Sequence, residues 1–153
     1  MIVTIRPLEE NDAKISYQWR NNPLIWKYTG SKPTKKITYE IELGWIREVL
    51  NRKNERRYAI MVSYEYVGNV QLTDISKDQA QFHIFIGNTF YWGKGVGTLA
   101  TQLILEVAKN ELYLKEIYLQ VSNENNSAKK IYNKLGFIEI EKKDNQSVMI
   151  KKL

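Results

Sequence analysis

The stretch Phe90-Tyr-Trp-Gly-Lys-Gly-Val-Gly-Thr98 contains three alternating glycines, Gly93, Gly95 and Gly97, and leads directly into an amphipathic segment. Glycine adopts positive φ readily and allows a ligand to approach the main chain closely. The helix that should begin near residue 96 offers unpaired N–H groups and the positive end of its dipole. Together these features predict a site for a phosphate or pyrophosphate. The alternative is a glycine-rich turn that only starts a helix.

The chain on either side of these glycines alternates between strand-like and helical patterns. Strands are predicted at residues 2–7, 57–63, 66–74, 79–87, 116–121, 137–141 and 147–151. Helices are predicted from a cap at Asn11 or Asp12 to about Asn21, from a cap at Thr38 to about Leu50, and over about 96–110 and 126–135. Residues 22–33 are predicted to form a loop with embedded aromatics. This order indicates an α/β (α+β) fold with a mixed, mostly antiparallel central sheet flanked by about four helices.

Composition limits the classes of protein to consider. The 153 residues fit one domain, which we place at residues 1–153, and no apolar run is long enough to span a bilayer. Zero cysteines exclude disulfides and thiolate chemistry, and a single histidine argues against a histidine-based metal site. A cytoplasmic location is therefore expected. The net charge of +6 favours anionic ligands, but the scattered lysines and the lack of a recognition helix argue against nucleic acid.

Two familiar phosphate motifs fit this stretch poorly. Gly95-Val-Gly97-Thr-Leu-Ala100 matches the G-x-G-x-x-G/A dinucleotide pattern, which should directly follow its strand within repeated βαβ units. Here the preceding strand ends near Gly87, and only one βαβ unit is predicted. A Walker A loop needs Gly-Lys-[Ser/Thr], which the chain lacks.

Two motifs resemble those of the GNAT acetyltransferases. Trp92-Gly-Lys-Gly-Val-Gly97 is similar to that family's acetyl-CoA pyrophosphate loop, Gln/Arg-x-x-Gly-x-Gly/Ala, with Trp92 in the Gln/Arg position. Asn125-Asn-Ser-Ala-Lys-Lys-Ile-Tyr132-Asn-Lys-Leu-Gly-Phe137 looks like the second signature, Asn-x-x-Ala/Ser-x-x-x-Tyr-x-x-x-Gly-Phe. Ile5-Arg-Pro-Leu-Glu and Trp19-Arg-Asn21 resemble the branch with ribosomal-protein alanine acetyltransferases and nucleotide-amino-sugar acetyltransferases. The resemblance covers essentially the whole chain.

The resemblance implies an acetyl-CoA-dependent N-acetyltransferase that works by direct attack in a ternary complex, without a metal. The main-chain amides of the glycine loop would hold the pyrophosphate, and the third strand of the meander would offer backbone groups to the acetyl and pantetheine parts. The cofactor-binding residues implied are Ile84, Phe85, Ile86, Trp92, Gly93, Lys94, Gly95, Val96, Gly97, Thr98 and Asn125. Asn125 also suits a helix N-cap.

The resemblance implies that Tyr132 protonates the leaving thiolate, although its position also suits plain core packing. Relatives often have glutamate in the strand Ala80-Gln-Phe-His83, where this chain has Gln81. We therefore predict His83 as the base, since it is the only histidine and titrates near neutrality. The other candidates are Asp74, Glu40, Glu42 and a water molecule, which Gln81 could orient.

The acceptor should bind between the first helices and the sheet. The candidate contacts are Gln81, Arg20, Trp26 and Tyr28, because aromatic rings stack on sugars or bases and arginine pairs with anions. A small amine or nucleotide-linked amino sugar and a protein N-terminus remain open as acceptors. The alternative function is a non-catalytic CoA-binding or sensor domain, suggested by the missing carboxylate at Gln81. An exposed strand edge could support a homodimer.

Overall fold

A seven-stranded sheet forms the centre of the protein. The computed structural model describes residues 1–29 and 32–153, with the side chains of Tyr28 and Thr29 outside that description. The strands are β1 (Val3–Pro7), β2 (Arg56–Val62), β3 (Glu65–Thr73), β4 (Gln79–Ile86), β5 (Glu116–Ser122), β6 (Ile138–Lys143) and β7 (Gln146–Lys152). Their order is β1-β2-β3-β4-β5-β7-β6, and only the β4–β5 pairing is parallel. The predicted mixed, mostly antiparallel sheet is confirmed.

Helices cover both faces of this sheet. The described helices are α1 (Ala13–Arg20), α2 (Pro23–Thr29), α3 (Tyr39–Leu50), α4 (Val96–Asn110) and α5 (Asn126–Lys134). On one face, α4 and α5 bury residues such as Ile104 and Tyr132 in a core with Phe82 of β4. On the other face, α1, α2 and α3 bury a second core around Trp19 and Ile46. The two cores place β4 between two helical layers.

The helix α2 corrects the sequence prediction of a loop over residues 22–33 at residues 23–29, and residues 30 and 31 of that loop lie outside the described residues. Pro23 is the first residue of α2, where its fixed φ and missing N–H suit a helix. The side chain of Asn22 accepts a hydrogen bond from the N–H of Leu24 at 3.0 Å. A capping residue followed by proline is therefore the local signal for the start of α2.

The start of α1 also differs from the expectation. A 3-10 turn over Glu10–Asp12 precedes the helix, and the side chain of Asp12 does not cap α1. Both carboxylate oxygens of Asp12 bind the guanidinium of Arg6, at 2.7 and 2.9 Å, and one accepts the N–H of Glu9 at 2.8 Å. Asp12 therefore ties β1 to the turn. The predicted cap of α3 is confirmed, since Thr38 Oγ1 accepts from the N–H of Ile41 at 3.2 Å.

One glycine fixes the distance between α1 and β4. A Cβ at Gly87 would lie 2.0 Å from a ring atom of the buried Trp19, so the backbone after β4 packs directly on the indole. We expect Gly87→Ala to lower the free energy of unfolding by about 1–3 kcal/mol, the usual cost of overpacking a core. Chemical denaturation would measure the change. The control is Gly44→Ala in α3, whose Cβ would meet no atom within 4 Å and which should be neutral or stabilising.

Candidate active site

A gap opens in the sheet beside β4. Parallel pairing joins β4 to β5 over three residue pairs, from Gln79–Glu116 to Gln81–Tyr118. Beyond Gln81, β4 continues to Ile86 while remaining paired with β3 on its other side. The described structure therefore leaves the β5-facing edge of β4 without a strand partner from Phe82 onward.

The pairing with β3 determines which backbone groups face the gap. The N–H of Gly87 donates to the carbonyl of Val67 at 2.8 Å, so residue 87 directs its main chain toward β3. Because main-chain polar groups alternate between the two sides of a strand, those of Ile84 and Ile86 are directed into the gap. Of the three β4 residues predicted to offer backbone groups, Ile84 and Ile86 therefore face the gap, whereas Phe85 is directed toward β3.

The glycine loop lies at the far end of this gap. Gly93 and Gly95 have φ of +72° and +83°, in the left-handed region, and Gly95 immediately precedes α4. A Cβ built at Gly93, Gly95 or Gly97 would meet no atom within 4 Å. The N–H of Leu99 donates back to the carbonyl of Gly95 at 3.1 Å, whereas the preceding amides have no intrahelical partner. The loop thus combines open space with free N–H groups, as an anion site requires.

The side chain of Trp92 ties this loop to β4. Its indole N–H donates to the carbonyl of Ile86 at 2.8 Å, while the indole remains 42% exposed. This hydrogen bond uses the only donor of the side chain. The indole N–H is therefore not free for a pyrophosphate, and any contact from residue 92 to such a group would come from its main chain or ring. Lys94, the other non-glycine residue of the loop, places its ammonium 3.4 Å from the centre of the Phe90 ring.

On the face covered by α1–α3, polar side chains of three strands lie together next to the gap. Residues paired directly across strands share a face. One surface is therefore formed by three directly paired sets, Gln71–His83, Thr73–Gln81 and Gln81–Tyr118. We call this surface the polar floor, and its residues are Gln71, Thr73, Gln81, His83 and Tyr118. All five side chains are half-buried. Sequence reasoning named only Gln81 and His83, although the polar alternation of Gln71 and Thr73 along β3 was a signal for the other two on that strand.

In the described part of the chain, one side-chain hydrogen bond holds His83 at the centre of the polar floor. Its Nε2 lies 3.0 Å from Thr73 Oγ1. Burial lowers the pKa of His83 below its ordinary value, and the nearby Arg57 lowers that pKa further, while Asp74 and Glu55 oppose the shift. The imidazole is therefore neutral near pH 7, the state in which it can accept a proton.

Tyr132 lies on the opposite face of the sheet, also beside the gap. Its ring packs edge-on against Phe82 at 5.9 Å and against Phe137 at 5.8 Å. Burial raises the pKa of Tyr132 to about 12. The described residues include no fully buried polar side-chain atom without a partner, and none of them binds this hydroxyl, so the hydroxyl keeps contact with solvent. Tyr132 is thus a core residue with a protonated, unoccupied donor.

Three of the residues predicted to contact the acceptor lie on the first helices and not on the polar floor. The guanidinium of Arg20 binds Glu42 at 2.9 Å and lies 5.3 Å from the Trp45 ring centre, so part of it holds the first helices together. Trp26 is half-buried on α2, with the ammonium of Lys32 at 5.4 Å from its ring centre. The side chain of Tyr28 lies outside the described residues.

The three carboxylates that are alternative candidates for the base differ in burial and in their distance along the chain from the polar floor. Glu42 is almost fully buried, and its two oxygens accept from Ser16 Oγ at 2.7 Å and from Arg20 at 2.9 Å. Its carboxylate is thus engaged in packing α1 against α3. Glu40 and Asp74 are exposed. Of these three carboxylates, only Asp74 adjoins the polar floor, since it follows Thr73 directly.

Asn125 acts as the N-cap of α5, since its Oδ1 accepts from the N–H of Ala128 at 3.2 Å. Within residues 1–29 and 32–153, no three histidine or acidic side chains are grouped so that they could hold a metal ion. In the same described part of the chain, no helix is long and apolar enough to cross a membrane.

Comparison with known proteins agrees with this geometry. The family model of the acetyltransferase (GNAT) domain matches residues 3–138. The chain is 33% identical over 138 residues to the spermidine N(1)-acetyltransferase of Escherichia coli K12, covering 88% of this chain and 72% of that protein. It is 30% identical over 146 residues to an uncharacterised protein of Methanocaldococcus jannaschii, covering 92% of this chain but only 29% of that relative.

Solved structures show the same fold. The chain is similar to the crystal structure of spermidine N-acetyltransferase from Vibrio cholerae in complex with CoA and spermine. The TM-score is 0.85 at 25% identity, and the alignment covers 99% of this chain and 94% of that chain. The alignment extends over the strands, the glycine loop and the helices described above.

Proposed function

Because the chain belongs to the family of GNAT acetyltransferase domains, we propose that it transfers the acetyl group of acetyl-CoA to a primary amine by direct attack in a ternary complex. The observation that supports this proposal is the gap beside β4 with the glycine loop at its end. The two ends of this gap suit the two parts of acetyl-CoA. The loop suits the pyrophosphate, and the edge of β4 suits the pantetheine amides and the acetyl carbonyl.

Three features of the glycine loop suit the binding of a pyrophosphate. The Cβ positions of its three glycines are open, so a ligand can reach the main chain. The left-handed φ of Gly93 and Gly95 allows successive N–H groups to converge. The first amides of α4 add the positive end of the helix dipole. We assign the pyrophosphate to the main-chain amides from Gly93 to Thr98, and the acetyl carbonyl to donors on β4 at Ile84 and Ile86.

Acetyl-CoA supplies an acetyl group activated as a thioester. His83, on the polar floor, accepts the proton that the amine nitrogen loses as it bonds to the carbonyl carbon. Tyr132, on the other face, donates its proton to the sulfur as the carbon–sulfur bond breaks. The products are the N-acetyl amine and free CoA, so the amine nitrogen loses one proton and the sulfur gains one. The chain has no cysteine that could carry an acetyl group, which favours direct transfer over a route through a cysteine-bound acetyl intermediate.

We propose a small-molecule amine as the acceptor, bound over the polar floor with contacts from Gln81, Arg20 and Trp26. The support comes from the relatives, whose names include spermidine and aminoglycoside acetyltransferases. A nucleotide-linked amino sugar would use the same aromatic and cationic groups. A protein N-terminus is the competing acceptor.

A free-CoA release assay tests the function directly. Acetyl-CoA is supplied with polyamines, aminoglycosides, nucleotide-linked amino sugars and short peptides with free N-termini. Release with a small-molecule class supports the proposal, and release with peptides alone overturns the small-molecule acceptor. No release with any amine, while acetyl-CoA still raises the melting temperature, would favour a non-catalytic CoA-binding domain.

The pH–rate profile tests the role of His83. Burial and the nearby Arg57 lower the pKa of the His83 imidazole, so it loses its basic form only when the pH falls below the ordinary value of about 6.5. We expect kcat/KM to rise through an inflection below about pH 6.5 and then to level off. His83→Ala should remove this inflection and lower the rate about 10²–10⁴-fold.

Two acceptors with different amine pKa values provide the control for this profile. An inflection that belongs to His83 stays at the same pH with both acceptors. An inflection that moves with the amine pKa, or that survives in His83→Ala, would assign the proton transfer to the substrate, to water or to Asp74.

A further inference from the structure

We infer that Thr73 is a positioning residue that accepts a hydrogen bond from Nε2–H of His83 and so makes Nδ1 the atom that takes the proton from the amine. This inference rests on the proposed function of His83 as the base. It adds the identity of the reacting nitrogen and the residue that selects it.

The hydrogen bond between these residues allows two arrangements. A threonine hydroxyl both donates and accepts, and a neutral imidazole carries its proton on either nitrogen. If the hydroxyl donated to Nε2, Nδ1 would carry the proton and neither ring nitrogen would be free to accept another. If Nε2–H donates to Thr73 Oγ1, at the observed 3.0 Å, the lone pair of Nδ1 is free. Only the second arrangement gives a base.

The second arrangement also suits the protonated state. When Nδ1 takes a proton, the imidazolium carries N–H on both nitrogens, and Thr73 Oγ1 continues to accept from Nε2 without any movement. Among the described residues, Thr73 is the only hydrogen-bond partner of the ring. The position of His83 therefore depends on this contact and on packing within the polar floor.

The fold sets this contact through strand register. Thr73 pairs with Gln81 and Gln71 pairs with His83, so Thr73 is the diagonal neighbour of His83 on the same face. Diagonal neighbours in an antiparallel pair lie within reach of longer side chains. The charged groups around the ring are Arg57 on β2, Asp74 after β3 and Glu55 before β2. None of them forms a hydrogen bond with the ring in the described structure, so Thr73 is the group that can select the tautomer.

The protein offers a direct measurement, because His83 is its only histidine. Nitrogen-15 NMR of the imidazole reports which ring nitrogen carries the proton, without assignment against other histidines. We expect the neutral ring to carry its proton on Nε2 in the wild-type protein, and the proton to redistribute between both nitrogens in Thr73→Val. A wild-type ring protonated on Nδ1 would overturn the inference.

Kinetics of Thr73 variants give the second readout. Thr73→Val keeps the shape of the side chain and removes the acceptor, and we expect kcat to fall about 10–100-fold with an unchanged acetyl-CoA dissociation constant, as for loss of other groups that orient a histidine. Thr73→Ser restores the acceptor and should recover most of the rate. Thr4→Val, at an exposed position of β1, is the control for threonine replacement in a strand. Full activity in Thr73→Val would overturn the inference.

The two readouts separate this inference from the proposed function. If His83→Ala retains full activity, histidine is not the base and the role of Thr73 fails with it, while the proposed acetyl transfer stands. If His83→Ala is impaired but the wild-type ring carries its proton on Nδ1, the role of Thr73 fails while the proposed acetyl transfer stands.

Discussion

Gly95→Val is expected to raise the dissociation constant of acetyl-CoA at least about a hundredfold while the protein remains folded. Gly95 has φ of +83°, and a Cβ there would point into space that no protein atom occupies. The Cβ of valine therefore meets no protein atom, but the side chain occupies the approach to the loop amides and disfavours the left-handed backbone. Hydrogen bonds to a charged group contribute about 1.5–3 kcal/mol each, so losing two of them accounts for a hundredfold change.

A second variant separates ligand exclusion from backbone strain. Gly97 lies inside α4 with no positive φ, and a Cβ there also meets no atom within 4 Å. Gly97→Val should therefore weaken acetyl-CoA binding without forcing a left-handed valine. Gly44→Val, in α3 on the opposite face, adds the same side chain at an equally open glycine and should leave binding unchanged. Calorimetric titration measures all three, and retained binding in both loop variants would defeat the cofactor assignment.

The elements around the glycine loop could be predicted from the sequence because their signals are local. The helix after Gly95 is an amphipathic stripe over three turns, and the strands of the meander alternate with period two. The helix α2 differs from the predicted loop because it is only seven residues long and begins with Pro23, a residue type that is also common in loops. A capping asparagine before proline is as local a signal as these, and it marks the start of α2.

Only the parts of the site that lie within one continuous segment of the sequence could be predicted. The loop glycines are contiguous, whereas the contact between Thr73 and His83 depends on the pairing of β3 with β4. Likewise, the hydrogen bond from Trp92 to the carbonyl of Ile86 depends on how the 3-10 turn over Thr89–Tyr91 folds back on β4. Register and loop path arise from packing of the whole domain, so the residue types alone left the partners of His83 and Trp92 open.

Tyr132→Phe is the second variant for which we expect a large effect, a fall in kcat of about 10²–10³-fold with little change in acetyl-CoA affinity. The ring would keep its edge-on contacts with Phe82 and Phe137, so phenylalanine preserves the core and removes only the hydroxyl. That hydroxyl has no protein partner in the described structure, and therefore its loss leaves no buried group unpaired. A purely structural tyrosine would predict an unchanged rate.

The high pKa of Tyr132 gives this prediction a second observable. Because burial raises that pKa to about 12, the phenol stays protonated throughout the pH range in which the enzyme can be assayed. The rate of the wild-type protein should therefore show no fall at alkaline pH from ionisation of Tyr132, and Tyr132→Phe should lower the profile without moving its acidic inflection. Tyr64→Phe, at a fully exposed tyrosine, is the control for loss of a phenolic hydroxyl. If Tyr132→Phe shifts the inflection instead, the hydroxyl acts on the ionisation of His83 rather than on the leaving thiolate.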